Sequence, residues 1–138
     1  MLTERRIMEI EELDKAYAAG FFDGEGCVRI AAPRGNRGYT VIVSVGQKDV
    51  APLLFLRKIW GGQIAHRMKT DSSEWTISSA LAGEFLSAIA PYLKCKKEVS
   101  RLALELQKTK SFSLRSTPEY LGWCSSIRAE ISRLNQVA

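Results

Sequence analysis

The feature that most limits the fold is a pair of strands followed by a helix, a pattern that occurs twice. The first pair, "CVRIAA" and "YTVIVSVGQK", is rich in Val and Ile, and the turn-forming segment "PRGNRG" joins its two strands. The helix "VAPLLFLRKIW" follows and ends at Gly61 and Gly62. The second pair, "QIAHRMK" and "EWTISS", precedes the helix "LAGEFLSAIAPYL", which Pro91 interrupts. Four strands with segregated helices predict an α+β fold, an antiparallel sheet with one covered and one open face.

Three further helices give the predicted order α-ββ-α-ββ-α-α-α. The first spans about residues 9–25, and "KCKKEVSRLALELQKTK" predicts an amphipathic helix with a basic start. The last spans about residues 118–134, with Thr117 as its N-cap and Pro118 in its first turn. We expect residues 1–138 to form a single domain, because a chain of this length fits one compact core.

Charge and composition narrow the classes of partner. The net charge is +5, from 20 Lys and Arg against 15 Asp and Glu, which favours phosphate polyanions or anionic membrane surfaces. The three cysteines form no CxxC pair, so neither a zinc knuckle nor a disulfide framework is indicated. No apolar run is long enough to span a bilayer, and the N-terminus lacks the apolar core of a signal peptide. We therefore expect no membrane partner and an intracellular protein, in the cytoplasm, nucleoid or an organelle.

The segment "AYAAGFFDGEG", residues 16–26, combines small side chains with two carboxylates on one helix. Counting 100° per residue places four of its members in one narrow stripe: Ala16, Ala19, Gly20 and Asp23. Such a stripe predicts close approach by another helix, including that of an identical copy. The same count directs Tyr17, Ala18, Phe21 and Phe22 to the remaining surface, whose aromatic side suits the protein's own core.

Residues 18–26, "AAGFFDGEG", resemble the signature of the LAGLIDADG homing endonucleases. Ala18 stands where Leu is usual, and Glu25 stands where the final acid is often Asp. The family fold, α-ββ-α-ββ-α, agrees with the order above, and a single copy of the motif implies a homodimer whose signature helices pack on a twofold axis. The resemblance implies a sequence-specific, metal-dependent endonuclease that cuts double-stranded DNA at a long pseudo-palindromic site and serves intron or intein homing.

The resemblance also assigns the site residues. Glu25 and the Gly24 carbonyl would bind Mg²⁺, Gln47 would order water near the scissile phosphate, and Lys96 would offset its growing charge. Lys94 or Lys97 would replace Lys96 if the register differs by a residue or two. Asp23 is expected to cap backbone amides near the dimer seam rather than to bind metal.

Strand alternation predicts a polar sheet face that contacts DNA. Its candidate members on the strands are Arg29, Thr40, Ile42, Ser44, Gln63, Arg67, Lys69, Glu74, Thr76 and Ser78. Arg34, Asn36 and Arg37 would extend the contact from the hairpin loop, and Lys48 would bind phosphate.

Other interpretations stay open. A non-cleaving RNA maturase or a DNA-binding regulator on the same fold is one alternative, and a scaffold or peptide-binding domain with incidental positive charge is another. By alternation His66 faces inward with Ile64 and Met68, which predicts a core role, and Cys27 and Cys95 are expected to be buried.

Overall fold

The computed structural model describes residues 4–35, 38–110 and 117–137, with side chains from residue 11 onward. The predicted α+β fold and the order of its elements are confirmed. The elements are α1 (Glu4–Glu25), β1 (Gly26–Ala31), β2 (Thr40–Gln47), α2 (Ala51–Trp60), β3 (Gln63–Arg67), β4 (Ser72–Ser78), α3 (Ser79–Ile89), a 3₁₀ turn (Ala90–Tyr92), α4 (Lys97–Thr109) and α5 (Pro118–Val137).

The four antiparallel strands lie in the order β1-β2-β4-β3, so β1 and β3 form the two edges. The inward row runs from Val28 through Val43 to Ile77, which pair with one another across three strands and are all buried. Alternate residues point to opposite faces of a sheet, so this register turns the polar alternates away from the helices.

Aromatic rings fill the space between the sheet and the helices. Trp75, Phe22 and Phe85 are fully buried, and the ring of Phe85 lies edge-on to Trp75 at 5.1 Å and to Phe22 at 5.4 Å between centroids. The indole Nε1 of Trp75 donates a hydrogen bond to the Gly61 carbonyl at 2.8 Å. The core therefore ties the signature helix α1 to the end of α2.

Two glycines end α2 as predicted. Gly61 and Gly62 have φ values of 78° and 96°, a region that side chains disfavour. A β-carbon at Gly62 would lie 2.4 Å from Cγ2 of Ile77, so the chain passes too close to β4 for any side chain there.

The C-terminal helix covers the edge strand β1. From α5, Arg128 donates through Nε to the Ile30 carbonyl at 3.0 Å, and Asn135 donates through Nδ2 to the Val28 carbonyl at 2.9 Å. Carbonyls on an open edge attract other strands, so these contacts protect β1. Thr117 caps the helix as predicted, because its Oγ1 accepts the amide of Tyr120 at 3.2 Å.

The structure corrects sequence predictions on β3, at two cysteines and at the start of α4. The His66 side chain is 53% exposed and lies 3.5 Å from the Asp71 carboxylate, and Met68 is 88% exposed, because β3 is an outer strand. Cys27 and Cys95 are also exposed rather than buried. Helix α4 begins at Lys97, after the basic segment expected to open it.

Within the described ranges no helix has the length and apolarity needed to cross a bilayer.

Candidate active site and nucleic-acid interface

Helix α1 turns a different face outward from the one predicted. Ala18, Ala19 and Phe22 are fully buried in the chain's own core, whereas Tyr17 is 52% exposed. The assignment of Ala19 to the exposed stripe and the core-side assignment of Tyr17 are therefore wrong. Alanine is small enough for either environment, so the alanines do not define which side of the helix faces the core, whereas the bulky Phe22 is buried in it.

The outward side of α1 is an apolar surface of low relief, here called the α1 face. It consists of five residues within about 100° of arc: Leu13, Ala16, Tyr17, Gly20 and Gly24. A β-carbon at Gly20 or Gly24 would meet nothing within 4 Å, and Leu13 is 71% exposed. In the sequence, the i, i+4, i+7, i+11 spacing of Leu13, Tyr17, Gly20 and Gly24 indicates this face. The stripe predicted from the small residues did not include Leu13, Tyr17 or Gly24.

Asp23 joins the foot of α1 to the segment that precedes α4. Its Oδ2 accepts the Lys94 amide at 2.7 Å, and its Oδ1 accepts the amides of Cys95 at 3.2 Å and Lys96 at 3.0 Å. In return, Nζ of Lys96 donates to the Asp23 carbonyl at 2.7 Å. The capping role expected of Asp23 is confirmed, and the contacts lie within one chain.

The structure brings the three candidate catalytic residues to one end of the sheet. Glu25 is the last residue of α1, and the partly buried Lys96 bonds to the carbonyl two residues before it. Gln47 is the last residue of β2, two residues past Val45, which pairs with Gly26. Oε1 of Gln47 accepts the amide of Lys48 at 2.9 Å, and no described residue forms a hydrogen bond with its Nε2 group.

Glu25 and Gly24 offer oxygen donors suited to a hard cation. Both are exposed, and no described residue forms an ion pair or hydrogen bond with the Glu25 carboxylate. The last carbonyls of a helix lack intrahelical donors, which leaves the Gly24 oxygen available. Among residues 11–35, 38–110 and 117–137, whose side chains the structure describes, no three His, Cys, Asp or Glu side chains cluster as a metal site. The donors fit Mg²⁺ in type, but one chain supplies fewer than its octahedral shell needs.

The open face of the sheet carries the predicted polar set in register. One row runs Cys27, Ser44, Thr76 and Gln63 across all four strands, and a second runs Arg29, Ile42 and Ser78. The predicted members on the strands are all exposed or half-buried: Arg29, Thr40, Ile42, Ser44, Gln63, Arg67, Glu74, Thr76 and Ser78. The face thus presents hydroxyls, an amide, guanidinium groups and small apolar groups side by side.

The charged side chains of this face differ in whether they form an ion pair. Arg67 donates to Glu74 at 2.8 Å across β3 and β4, whereas Arg29 forms no ion pair with any described residue. Lys69 lies in the β3–β4 turn rather than on β3, and Arg34 and Lys48 are exposed beside the strands. Asn36 and Arg37, predicted to extend the contact, lie outside the described residues.

Comparisons with known proteins find relatives by structure alone. No protein-family model matches the chain, and no curated protein matches it. The structure is similar to that of the homing endonuclease I-CvuI in complex with the I-CreI target in the presence of magnesium, with DNA not cleaved. The TM-score is 0.78 at 26% identity over 90% of this chain and 83% of that one.

Two other homing endonucleases share the fold. I-TnaI is similar at a TM-score of 0.69 and 23% identity, over 88% of this chain and 93% of that one. The LAGLIDADG meganuclease I-AabMI bound to uncleaved DNA is similar at 0.65 and 20% identity, over 83% of this chain and only 43% of that one. This chain therefore corresponds to less than half of the longer enzyme.

Proposed function

We propose that this chain, which belongs to the LAGLIDADG homing endonuclease family, is a homodimeric endonuclease that uses Mg²⁺ to cut both strands of a long pseudo-palindromic DNA site. The observation that carries the proposal is the grouping of Glu25, Gln47 and Lys96 at one end of the sheet, at the foot of the α1 face. A carboxylate, an amide and an ammonium group in that arrangement suit phosphodiester hydrolysis.

The proposed dimer packs the α1 faces of two copies against each other. Gly20 and Gly24 have open space around them, so a second helix backbone meets no side chain there. Leu13 and Tyr17 would bury apolar surface on either side, and the ring of Tyr17 is already held edge-on to Phe55 at 5.1 Å. A twofold axis along this contact brings the two Glu25 side chains together.

Such a dimer supplies what one chain lacks as a metal site. Two carboxylates in proximity repel, and a divalent cation between them removes that cost. The holding residues would be Glu25 and the Gly24 carbonyl of each chain, and DNA phosphate and water would complete the shell. When bound, Mg²⁺ would act as a Lewis acid toward the scissile phosphate.

The remaining residues act without the metal. Gln47 would orient the attacking water through its Nε2 group, which forms no hydrogen bond with any described residue. Lys96 would offset the negative charge that grows on the phosphate in the transition state. The sheet face would lie in the major groove, where base edges differ for each pair, while Lys48 contacts phosphate. Membership of the family supports a biological role in intron or intein homing.

A cleavage selection from a randomised duplex library with Mg²⁺ tests the proposal. We expect the wild-type protein to release cut molecules that share one pseudo-palindromic site. Glu25→Gln should bind the same site without cutting it. A wild type that binds a selected duplex and never cuts it would favour the non-cleaving DNA-binding regulator, and selective binding to RNA would favour the maturase. Negligible, salt-insensitive binding to duplex DNA would favour the scaffold interpretation.

A further inference from the structure

We infer that Asp23 is a positioning residue for Lys96, and that the two residues lock each other through reciprocal hydrogen bonds. The inference rests on the proposed function of Lys96. The main-chain amide of Lys96 donates to the Asp23 side chain at 3.0 Å, and the Lys96 side chain donates to the Asp23 main chain at 2.7 Å. Each residue thus contributes one main-chain and one side-chain group, which fixes both its backbone and its side chain relative to the other.

The lock acts on a segment that has few other restraints. Lys94 to Lys96 lie between the 3₁₀ turn and α4, in neither helix nor strand, and Lys94 and Cys95 are exposed. Both carboxylate oxygens of Asp23 are used to hold the three successive amides of this segment. Without these bonds the amides would bond to water, and the Lys96 backbone would no longer be held at the C-terminal end of α1.

The Lys96 side chain is directed by the same contact. A lysine has a long, flexible stem and many rotamers, so an unrestrained ammonium samples a wide volume. The bond to the Asp23 carbonyl holds Nζ at the C-terminal end of α1, where the helix dipole favours positive charge. Glu25 follows two residues later, so the lock holds the ammonium at the same end of α1 as the proposed metal ligand.

Neighbouring lysines show the contrast. Lys94 and Lys97 are exposed, and their ammonium groups form no hydrogen bond or ion pair with any described residue, whereas Lys96 is partly buried and bonded. Sequence alone left these three lysines as alternatives. The Asp23 lock distinguishes Lys96 from the other two.

The test measures Lys96 itself as well as cleavage. In spectra of ¹⁵N-labelled protein, we expect the Lys96 ammonium to give a slowly exchanging signal in the wild type that is lost in Asp23→Asn, because Asn replaces one acceptor oxygen with a donor. The Lys94 and Lys97 ammonium groups serve as exposed controls in the same spectrum. A Lys96 signal unchanged in Asp23→Asn would overturn the inference whether or not the protein cuts DNA.

Kinetics then separate positioning from general stability. We expect the single-turnover cleavage rate of Asp23→Asn to fall by roughly ten- to a hundredfold, the scale of a misplacement of about 1 Å, with duplex affinity unchanged. Adding Asp23→Asn to Lys96→Met should cause no further loss, because Asp23 acts through Lys96. Thr117→Ala, which removes the helix cap of α5, should leave the rate unchanged.

Two results would overturn the inference while leaving the proposed function intact. One is a wild-type cleavage rate in Asp23→Asn, and the other is an additive loss in the double variant. A wild type that cuts no duplex contradicts the proposed function instead. If Asp23→Asn does not fold, Asp23→Glu keeps both acceptor oxygens on a longer stem and should show the same loss of the slowly exchanging Lys96 signal and slower cleavage. Wild-type behaviour in that variant would equally contradict the lock.

Discussion

The ring of Phe22 lies against the α-carbon of Gly26, so that a β-carbon there would lie 2.1 Å from Cδ1 of Phe22. Phe22 is fully buried and packs against Phe85, so its ring has no room to withdraw. The last glycine of the motif is therefore required by the chain's own core. It lets the chain turn from α1 into β1 across the face of that ring.

Gly26→Ala should lower the free energy of unfolding by about 1–3 kcal/mol, the usual cost of overpacking a filled core. Gly122→Ala is the matched control, because Gly122 is exposed on α5, away from the α1 face, and a β-carbon there meets nothing within 4 Å. The control should leave stability unchanged or raise it by up to about 1 kcal/mol. Chemical denaturation followed by circular dichroism measures both, and equal stability of the two variants would contradict the packing described for Phe22.

Gly20→Leu should prevent dimerisation without unfolding the chain. The position is open in the single chain, so the new side chain costs nothing there, but it would stand between two packed helices. Gly122→Leu is the control, since Gly122 is an exposed helical glycine on α5 with the same open surroundings. Sedimentation velocity should give a monomer for Gly20→Leu and a dimer for the wild type and the control. If Gly20→Leu is still a dimer, the α1 face is not the dimer interface.

Arg29→Ala and Lys48→Ala should weaken DNA binding in different ways. Arg29 is unpaired on the sheet face, so its loss should cost about 1–3 kcal/mol of discrimination at one base pair in each half-site. Lys48→Ala should weaken binding to all sequences alike and reduce the salt slope by about 1 per chain. Binding to a library of single-base variants at several salt concentrations measures both effects. A uniform loss in Arg29→Ala would exclude base readout by this residue.

Asn135→Ala should loosen β1 at its outer edge. The Val28 carbonyl loses its donor from α5, which costs about 1 kcal/mol and exposes the strand edge. Amide exchange measured by mass spectrometry should rise for Gly26–Ala31 and stay constant for Ser72–Ser78. Gln136→Ala, an exposed neighbour on the same helix, is the control and should change neither strand. Unchanged exchange in β1 would contradict the protective role of α5.

Much of the fold could be predicted from local patterns. Val41, Val43 and Val45 alternate along β2 and are buried as their spacing indicates, and Gly61 and Thr117 bound helices as expected. The rotation of α1 could not be predicted from its alanines, because Ala fits a core and a helix contact equally well. His66 has the inward parity of its strand but is exposed, since burial also requires a helix above it.

No local sequence pattern indicates the contacts of the candidate site. Asp23 meets amides 71 to 73 residues away, and Asn135 meets a carbonyl 107 residues away, so only the packed fold reveals them. Resemblance to a family selected Glu25, Gln47 and Lys96, and their roles stay predictions that rest on a second copy of the chain.

A mixed-subunit cleavage assay tests that dependence most directly. Wild-type and Glu25→Gln chains are co-expressed with different tags, their ratio is measured by mass spectrometry, and strand cuts in the selected duplex are counted. If two chains build one centre, cutting falls with the square of the wild-type fraction, to about a quarter when half the chains are wild type. Cutting that falls in direct proportion, to about a half, would mean that each chain works alone and would contradict the account.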